Sequence, residues 1–183
     1  METKKFKQVV AFTGAGISKA SGIPTFKDTP GLKEKLSIWY RENYPKDFNK
    51  AYDNMKSVMK DKEPNDAHYA LAEYDIPIIT MNVDGLHQKA GSKIVYDIHG
   101  DVEKDNVVLY GQNVHHFEEC FELLNNYSFG GPTAFLVIGT SLETEMARTL
   151  IDYAIGSNMY VAYIMSNAET RVRDWLVKNY ERW

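Results

Sequence analysis

The sequence predicts an α/β fold in which helices cover both faces of a parallel sheet. Short, continuously apolar runs alternate with segments of helical periodicity, which is typical of strands that are buried on both faces. The helical segments supply the crossovers that parallel strands require. Glycine-rich or polar residues follow five of the apolar runs. Ligands bind beyond the carboxyl ends of the strands in such sheets, so we expect a site there.

The strands are predicted from apolar runs that end in turn residues. The first run, Val-Val-Ala-Phe, is followed after Thr13 by Gly14-Ala15-Gly16, as expected of a buried strand that enters a tight turn. By this criterion, strands lie at residues 9–12, 77–80, 93–98, 134–138 and 160–165, with a short, isolated one at 107–110.

The helices are predicted from apolar residues that recur at helical spacing between these runs. Gly22 ends the first helix, Pro45 interrupts the second, and Asn65 or Asp66 caps the third. Residues 25–36 are predicted to form a loop. The predicted helices lie at residues 17–21, 38–60, 64–74, 114–126, 143–155 and 169–180.

Size and composition indicate one globular domain spanning residues 1–183, with 44% apolar residues and a formal net charge of −4. Nucleic-acid binding is not expected, because phosphate contacts need clustered Lys and Arg. The single cysteine, Cys120, excludes an internal disulfide and a four-cysteine zinc site. No apolar run approaches the ~20 residues that span a bilayer. Residues 1–8 lack a signal-peptide core, so we expect no membrane contact and a cytoplasmic location.

Two turns are candidate phosphate sites, because backbone N–H groups at a strand–turn–helix junction can hold a phosphate. Gly14-Ala15-Gly16 and Gly139-Thr140-Ser141 each follow a predicted strand and precede a helix. Two simpler roles compete. The glycines could serve only a tight turn, and Thr140 or Ser141 could only cap the next helix. Two such turns at one sheet edge suit a ligand with two phosphates.

Asn82, Asp84 and His99 are the candidate reactive groups. Asn82 offers donors and acceptors that suit a carboxamide or a ribose hydroxyl. Asp84 can accept an amide N–H, or it can simply cap the following turn. With an ordinary pKa near ~6.5, His99 can accept a proton at neutral pH, although a lone histidine can also be purely structural.

Several stretches, in this order, resemble motifs of the sirtuin family. Residues 14–26 resemble its long cofactor motif almost residue for residue. Residues 80–87, Thr-Met-Asn-Val-Asp-Gly-Leu-His, resemble its Thr-Gln-Asn-Ile-Asp-Gly-Leu-His stretch. Further resemblances lie at residues 63–71, 95–100, 107–112 and 139–142, and at Asn167.

The resemblance implies a Rossmann-like NAD-binding fold and an NAD-dependent lysine deacylase. In the family, an acyl-lysine oxygen attacks the nicotinamide ribose, and nicotinamide leaves. A histidine accepts a proton from a ribose hydroxyl, and the acyl group passes to ADP-ribose. The resemblance makes His99, Asn82 and Asp84 the catalytic residues.

Binding residues are implied in the same way. Cofactor contacts fall on Gly14, Ala15, Gly16, Ile17, Ser18, Ile23, Pro24, Phe26, Lys27, Met81, Asn82, Asp84, His99, Gly139, Thr140, Ser141 and Asn167. Ile23 and Pro24 are implied to line the nicotinamide pocket. An acyl-lysine protein or peptide is implied to add as a strand along Val108, Tyr110 and Gly111.

The sequence departs from the family pattern at several places. The family has a four-cysteine zinc ribbon before the substrate strand, but only residues 101–106 lie there, so the small lobe is truncated and no metal is expected. Residues 25–75 are left as the cofactor loop and a small helical lobe. Met81 replaces a glutamine, Lys27 an arginine, and Gln112 an acidic residue.

Three functions remain open on these residues. The first is a compact lysine deacylase, favoured by the retained His99. The second is an NAD glycohydrolase or ADP-ribosyltransferase, favoured by the truncated lobe. The third is a non-catalytic sensor of NAD or ADP-ribose, favoured by Met81 and Lys27. The sequence does not determine the acyl group or the oligomeric state.

Overall fold

Five strands form one sheet, in which every hydrogen-bonded pair is parallel. They are β1 (Gln8–Thr13), β2 (Ile78–Thr80), β3 (Val95–Asp97), β4 (Thr133–Ile138) and β5 (Tyr160–Ile164), in the order β3-β2-β1-β4-β5. This computed structural model describes residues 5–182, so residues 1–4 of the charged N-terminal segment and residue 183 lie outside it. The predicted parallel sheet is confirmed.

Helices connect the strands, as parallel pairing requires. A 3-10 helix spans Ala15–Ser21 and ends at Gly22, whose φ of 80° favours glycine. The α-helices are α1 (Leu32–Lys35), α2 (Ile38–Asn43), α3 (Pro45–Met59), α4 (Asp66–Glu73), α5 (Leu86–Lys89), α6 (Phe117–Ser128), α7 (Glu145–Gly156) and α8 (Ala168–Asn179). Across residues 5–182, no helix has the length and apolar character needed to cross a bilayer.

Each face of the sheet packs against its own helices. Val9 and Ala11 of β1 face a core shared with α4 and α8, whereas Val10 and Phe12 face a core shared with α6 and α7. All four side chains are at most 1% exposed. A strand buried on both sides is apolar at every position, which explains the continuous apolar runs in the sequence.

A third core holds the helical segment formed by α1, α2 and α3. Leu36, Phe48 and Met55 of this segment pack against Val102 and Leu109, which follow the sheet edge. The segment is therefore attached to the same edge of the sheet at which the predicted site lies.

Three local predictions are wrong. The loop predicted at residues 25–36 contains α1, and α5 has no counterpart among the predicted helices, because four residues are too few for a periodic pattern. The strand predicted at 107–110 does not form, because residues 107–109 have no regular secondary structure and Tyr110 makes only an isolated bridge to Ser37. Its apolar residues fill the third core and do not join the sheet.

Candidate active site

The segments that follow four strands meet at one edge of the sheet. Thr13 at the end of β1 pairs with Thr80 on β2 and Ile138 on β4. Thr80 in turn pairs with Asp97 at the end of β3. These pairs align the carboxyl ends of β1, β2, β3 and β4. The residues that follow each strand therefore begin next to one another. The predicted convergence of the polar segments is confirmed.

The two predicted phosphate turns touch each other. The Gly16 N–H donates to the Gly139 oxygen at 2.8 Å, and the Gly14 N–H donates to the Ile138 oxygen at 2.9 Å. A Cβ on Gly16 would lie 2.6 Å from the Gly139 Cα. Glycine is therefore required for close packing of the two turns, which holds them as one unit.

We expect Gly16→Ala to lower the free energy of unfolding by about 1–3 kcal/mol, the usual cost of overpacking against atoms that cannot move aside. The added Cβ would meet only backbone atoms of Gly139. Gly156→Ala is the matched control, because nothing lies within 4 Å of a Cβ there. Urea unfolding of both variants measures the difference, and equal midpoints would contradict the close packing.

The turn after β4 does not cap the next helix. Thr144 caps α7, because its hydroxyl accepts the Ala147 N–H at 3.2 Å. The Thr140 hydroxyl accepts the Leu142 N–H at 3.4 Å, and Ser141 is exposed. The capping interpretation of Thr140 and Ser141 is therefore wrong, and this turn remains available to a ligand.

Ser18 joins Asn82 to Asp84. The Ser18 hydroxyl donates to Asp84 Oδ2 at 2.6 Å and accepts from Asn82 Nδ2 at 3.1 Å. Asp84 Oδ1 accepts the Leu86 N–H at 3.0 Å, so Asp84 also serves the turn before α5. Burial raises the pKa of the Asp84 carboxyl, although the hydrogen bond from Ser18 opposes this effect. No group within residues 5–182 donates to the Asn82 side-chain oxygen.

His68 lies beneath Ser18 in the core. Its Nδ1 accepts the Asn65 N–H at 3.3 Å, so the ring proton is on Nε2, which lies 3.4 Å from the Ser18 hydroxyl. Ser18 thus accepts from His68 and Asn82 while it donates to Asp84. Burial lowers the pKa of His68 to about 4, so the ring is neutral at neutral pH.

His87 packs beside His68, with their ring centroids 4.9 Å apart. Its Nε2 lies 2.9 Å from the Thr13 hydroxyl, which itself donates to the Thr80 hydroxyl at 2.8 Å. Thr80 Oγ1 also accepts the Asn82 N–H at 3.0 Å. Burial lowers the pKa of His87 well below 6.5. The two histidines therefore support the candidate site from below, a role that the sequence analysis does not predict.

His99 is half-buried at the end of the segment after β3. Its Nδ1 lies 3.1 Å from the Met81 carbonyl oxygen. A carbonyl oxygen can only accept, so Nδ1 carries the proton and Nε2 keeps its lone pair. Burial lowers the pKa of His99, although the bond to Met81 opposes this effect. At neutral pH His99 is therefore a neutral base with Nε2 as the basic atom.

Some of the predicted cofactor residues in the loop line a pocket, and the others lie on the surface. Buried Ile23 and exposed Pro24 line an apolar pocket of about 340 Å³ between the loop and α3. Phe26 and Lys27 are exposed. Met81 turns toward α7, because the Thr144 hydroxyl donates to its sulfur at 3.4 Å.

The backbone of the predicted substrate residues is half paired within the protein, because Val108 and Tyr110 make internal hydrogen bonds whereas Gly111 makes none in residues 5–182. The Val108 N–H donates to the His99 oxygen at 2.8 Å. The Tyr110 N–H donates to the Leu36 oxygen at 2.9 Å, and its carbonyl accepts the Ile38 N–H at 3.1 Å. Strand addition to Tyr110 would therefore have to displace the start of α2.

The remaining predicted residues lie on the surface. Gly111 is exposed, with a φ of 99° that ends the extended backbone after Tyr110. Asn167 is exposed after β5, at the start of α8, and its φ of 53° is left-handed. Its side chain makes no capping hydrogen bond.

Residues 101–106 form a short, closed loop. The Asn106 Oδ1 accepts the Asp101 N–H at 2.7 Å, and Lys56 on α3 pairs with Asp105 at 2.8 Å. Val102 is 1% exposed and fills the third core. The part of the chain that the structure describes contains no cluster of three or more His, Cys, Asp or Glu side chains able to hold a metal.

We expect EDTA to leave the melting temperature unchanged, because the loop at 101–106 is closed by hydrogen bonds and apolar packing. Structural zinc contributes directly to folding free energy, so its removal from a zinc-dependent domain is readily seen. Calorimetry with and without EDTA makes the comparison. A clear fall in melting temperature would reveal a metal site.

Comparisons with known sequences agree on one family. A model described as the Sir2 family matches residues 14–106. An NAD-dependent protein deacetylase of Sulfolobus acidocaldarius is 45% identical, with 77% of this chain and 72% of that protein covered. One of Bacillus subtilis is 32% identical, covering 78% and 76%. The match to a deacetylase of Saccharolobus solfataricus is 47% identical, but the chain spans only 44% of that protein's length.

Solved structures share the fold. A structure from work on the mechanism and regulation of Sir2 enzymes is 27% identical, with a TM-score of 0.77, and the match covers 94% of this chain and 92% of that one. A Sir2 homolog in complex with NAD has a TM-score of 0.79 at 22% identity, with 93% and 88% covered. The predicted Rossmann-like α/β fold is confirmed by these similarities.

Proposed function

Because this chain belongs to the Sir2 family, we propose that it is an NAD-dependent lysine deacylase that transfers the acyl group to ADP-ribose. The observation that carries the proposal is the position of a neutral His99, whose Nε2 is unprotonated, at the same sheet edge as the Asn82–Ser18–Asp84 network. The deacetylase names of the similar archaeal and bacterial proteins support it.

The residues present fit NAD. The Asn82 oxygen has no donor within the described chain and can accept the carboxamide N–H of nicotinamide. The paired turns at Gly14–Gly16 and Gly139–Ser141 offer backbone groups for two phosphates. When bound, NAD supplies the ribose carbon that takes the acyl oxygen as nicotinamide leaves.

The chain's own residues then act by position and by proton transfer. His99 accepts a proton at Nε2, while the bond from Nδ1 to Met81 fixes the tautomer and the ring. Ser18 holds Asn82 and Asp84 in one arrangement. Ile23 is buried at the wall of the adjoining pocket and excludes water from the nicotinamide side.

We further infer that residues 1–183 form one catalytic domain that works without zinc in the cytoplasm. Residues 25–75 are its cofactor loop and small helical lobe. The third core supports the single domain, since it joins Phe48 and Met55 to Val102 and Leu109. The alignment with the Bacillus subtilis relative runs over 197 residues yet includes only 78% of this 183-residue chain. That relative therefore has residues with no counterpart here, which supports the loss of the zinc ribbon.

One observation favours a second candidate, an NAD glycohydrolase or ADP-ribosyltransferase. The Tyr110 backbone is already paired with Leu36 and Ile38, which leaves fewer groups for an incoming peptide. Water or another acceptor would then take the ADP-ribose.

Nicotinamide release from NAD, measured with and without acyl-lysine peptides, tests the proposal. Release that depends on the acyl-lysine is the expected result. Release at the same rate without it would establish the glycohydrolase. Saturable NAD binding with no release would establish a sensor.

A further inference from the structure

A polar cleft of about 670 Å³ lies beside His99. Two backbone hydrogen bonds place it there. The Val108 N–H donates to the His99 oxygen at 2.8 Å, and the His115 N–H donates to the Ile98 oxygen at 2.9 Å. Val108 and His115 both line the cleft, so its wall is bonded directly to the main chain at Ile98 and His99. Its polar lining is Arg41, Asp105, Asn106, Gln112, Asn113 and His115.

The backbone around the cleft is only partly paired within the protein, because the Val108 carbonyl and both backbone groups of Gly111 have no hydrogen-bond partner in residues 5–182. Residues 109–112 form a turn, in which the Gln112 side-chain oxygen accepts the Leu109 N–H at 2.7 Å and the Gln112 N–H donates to the Leu109 oxygen at 3.0 Å. Both backbone groups of Tyr110 are paired as well.

The cleft has charged groups of both signs. Arg41 is exposed at its rim, and its guanidinium makes no ion pair or side-chain hydrogen bond with any residue in 5–182. Asp105 lies on the short loop and pairs with Lys56 through Oδ1 alone, so Oδ2 is open. A guanidinium binds a carboxylate through two parallel hydrogen bonds, and a carboxylate pairs with an ammonium group. This combination suits a zwitterion.

We propose that this cleft admits free Nε-acyl-lysine as a further substrate, with Arg41 binding the α-carboxylate and Asp105 the α-ammonium group. The lysine side chain then extends toward His99 with its acyl group. The proposal rests on the proposed deacylase function. The reaction balances as one NAD, one acyl-lysine and one water giving nicotinamide, lysine and O-acyl-ADP-ribose. The short loop at 101–106 contributes Asp105 and Asn106 to the wall of this cleft.

Nicotinamide release with three acetyl-lysine compounds tests the proposal. They are free Nε-acetyl-lysine, the same amino acid blocked as its Nα-acetyl amide, and a short acetyl-lysine peptide. Blocking removes both charges but keeps the reacting acyl group. We expect kcat/KM for the free amino acid to exceed that for the blocked form by about a hundredfold, about tenfold for each of the two charged contacts, mainly through a lower KM.

Two variants test whether Arg41 and Asp105 bind the charged groups of the free amino acid. We compare the ratio of kcat/KM for the free amino acid to kcat/KM for the blocked form. Arg41→Gln and Asp105→Asn should each reduce this ratio by about tenfold relative to the unmodified protein. Lys56→Met is the matched control for Asp105. It breaks the same ion pair but keeps the carboxylate, so the ratio should not fall. Lys46→Gln, an exposed cation that is not among the cleft residues, is the control for Arg41.

The three compounds separate this proposal from the proposed function. Turnover of the peptide without turnover of the free amino acid would overturn the proposal and leave the deacylase assignment intact. Equal kcat/KM for free and blocked forms, or an unchanged ratio in both cleft variants, would also overturn it. If no acetyl-lysine compound stimulates nicotinamide release, both the proposed function and this proposal fall.

Discussion

His99→Ala is expected to lower kcat for nicotinamide release by at least about a hundredfold, the usual contribution of a positioned general base. Its affinity for NAD should stay close to that of the unmodified protein. The reason is the tautomer: the Met81 carbonyl fixes the proton on Nδ1, so the reactive lone pair is on Nε2. Removing the ring removes the base, whereas the glycine turns and the Asn82–Ser18–Asp84 network remain.

Steady-state kinetics and calorimetric titration of NAD separate these two effects. His116→Ala is the matched control, since His116 lies at the start of α6 and pairs with Asp97 and Glu119 on the protein surface. It should keep both turnover and NAD affinity. Normal turnover in His99→Ala would show that another group is the base, and a parallel loss of NAD affinity would assign His99 to binding.

Much of the fold and the location of the site could be predicted, because local sequence determines both. Strands such as β1 and β4 are buried on both faces, so a continuous run of apolar residues fills most of each strand and the run itself is the signal. In a parallel sheet the carboxyl ends lie on one edge. The polar residues that follow the strands therefore had to meet, whatever the exact register.

The supporting network beneath the site could not be predicted, because its members come from distant parts of the chain. His68 reaches Ser18 across 50 positions, and His87 reaches Thr13 across 74. A histidine in a helical pattern carries no local sign that it will be buried. The only available signal was that both histidines fall within the stretches that resemble family motifs.

The apolar content of residues 107–110 is also the reason for the incorrect prediction of a strand there. Val107 and Leu109 pack into the third core, which has the same composition as a strand interior. The backbone partners, however, are three separate segments, through His99, Gln112 and Leu36. Partner identity decides whether an extended run joins a sheet, and the sequence of the run does not contain that information.

The protein is expected to lose stability as the pH falls from 7 to 5, through its buried histidines. In the folded protein, burial lowers the pKa of His68 to about 4 and that of His87 well below the ordinary 6.5. The unfolded chain therefore binds protons first as the pH falls below about 6.5, which favours unfolding. The stabilisation is complete above 6.5 and is lost progressively toward the folded pKa. For His68 alone, the loss between pH 7 and 5 is about 2 kcal/mol.

Asp84 has the opposite effect on the free energy of unfolding. Burial raises the pKa of its carboxyl above the ordinary 3.8, so the folded protein binds this proton more tightly than the unfolded chain does as the pH falls. Burial also lowers the pKa of His99, which adds to the effect of His68 and His87. Urea unfolding at pH 7 and pH 5 measures the net change in the free energy of unfolding. His68→Gln removes one titrating group and should flatten this dependence. An equal pH dependence in His68→Gln and in the unmodified protein would show that His68 is hydrated, and that Ser18 is not supported by it from within the core.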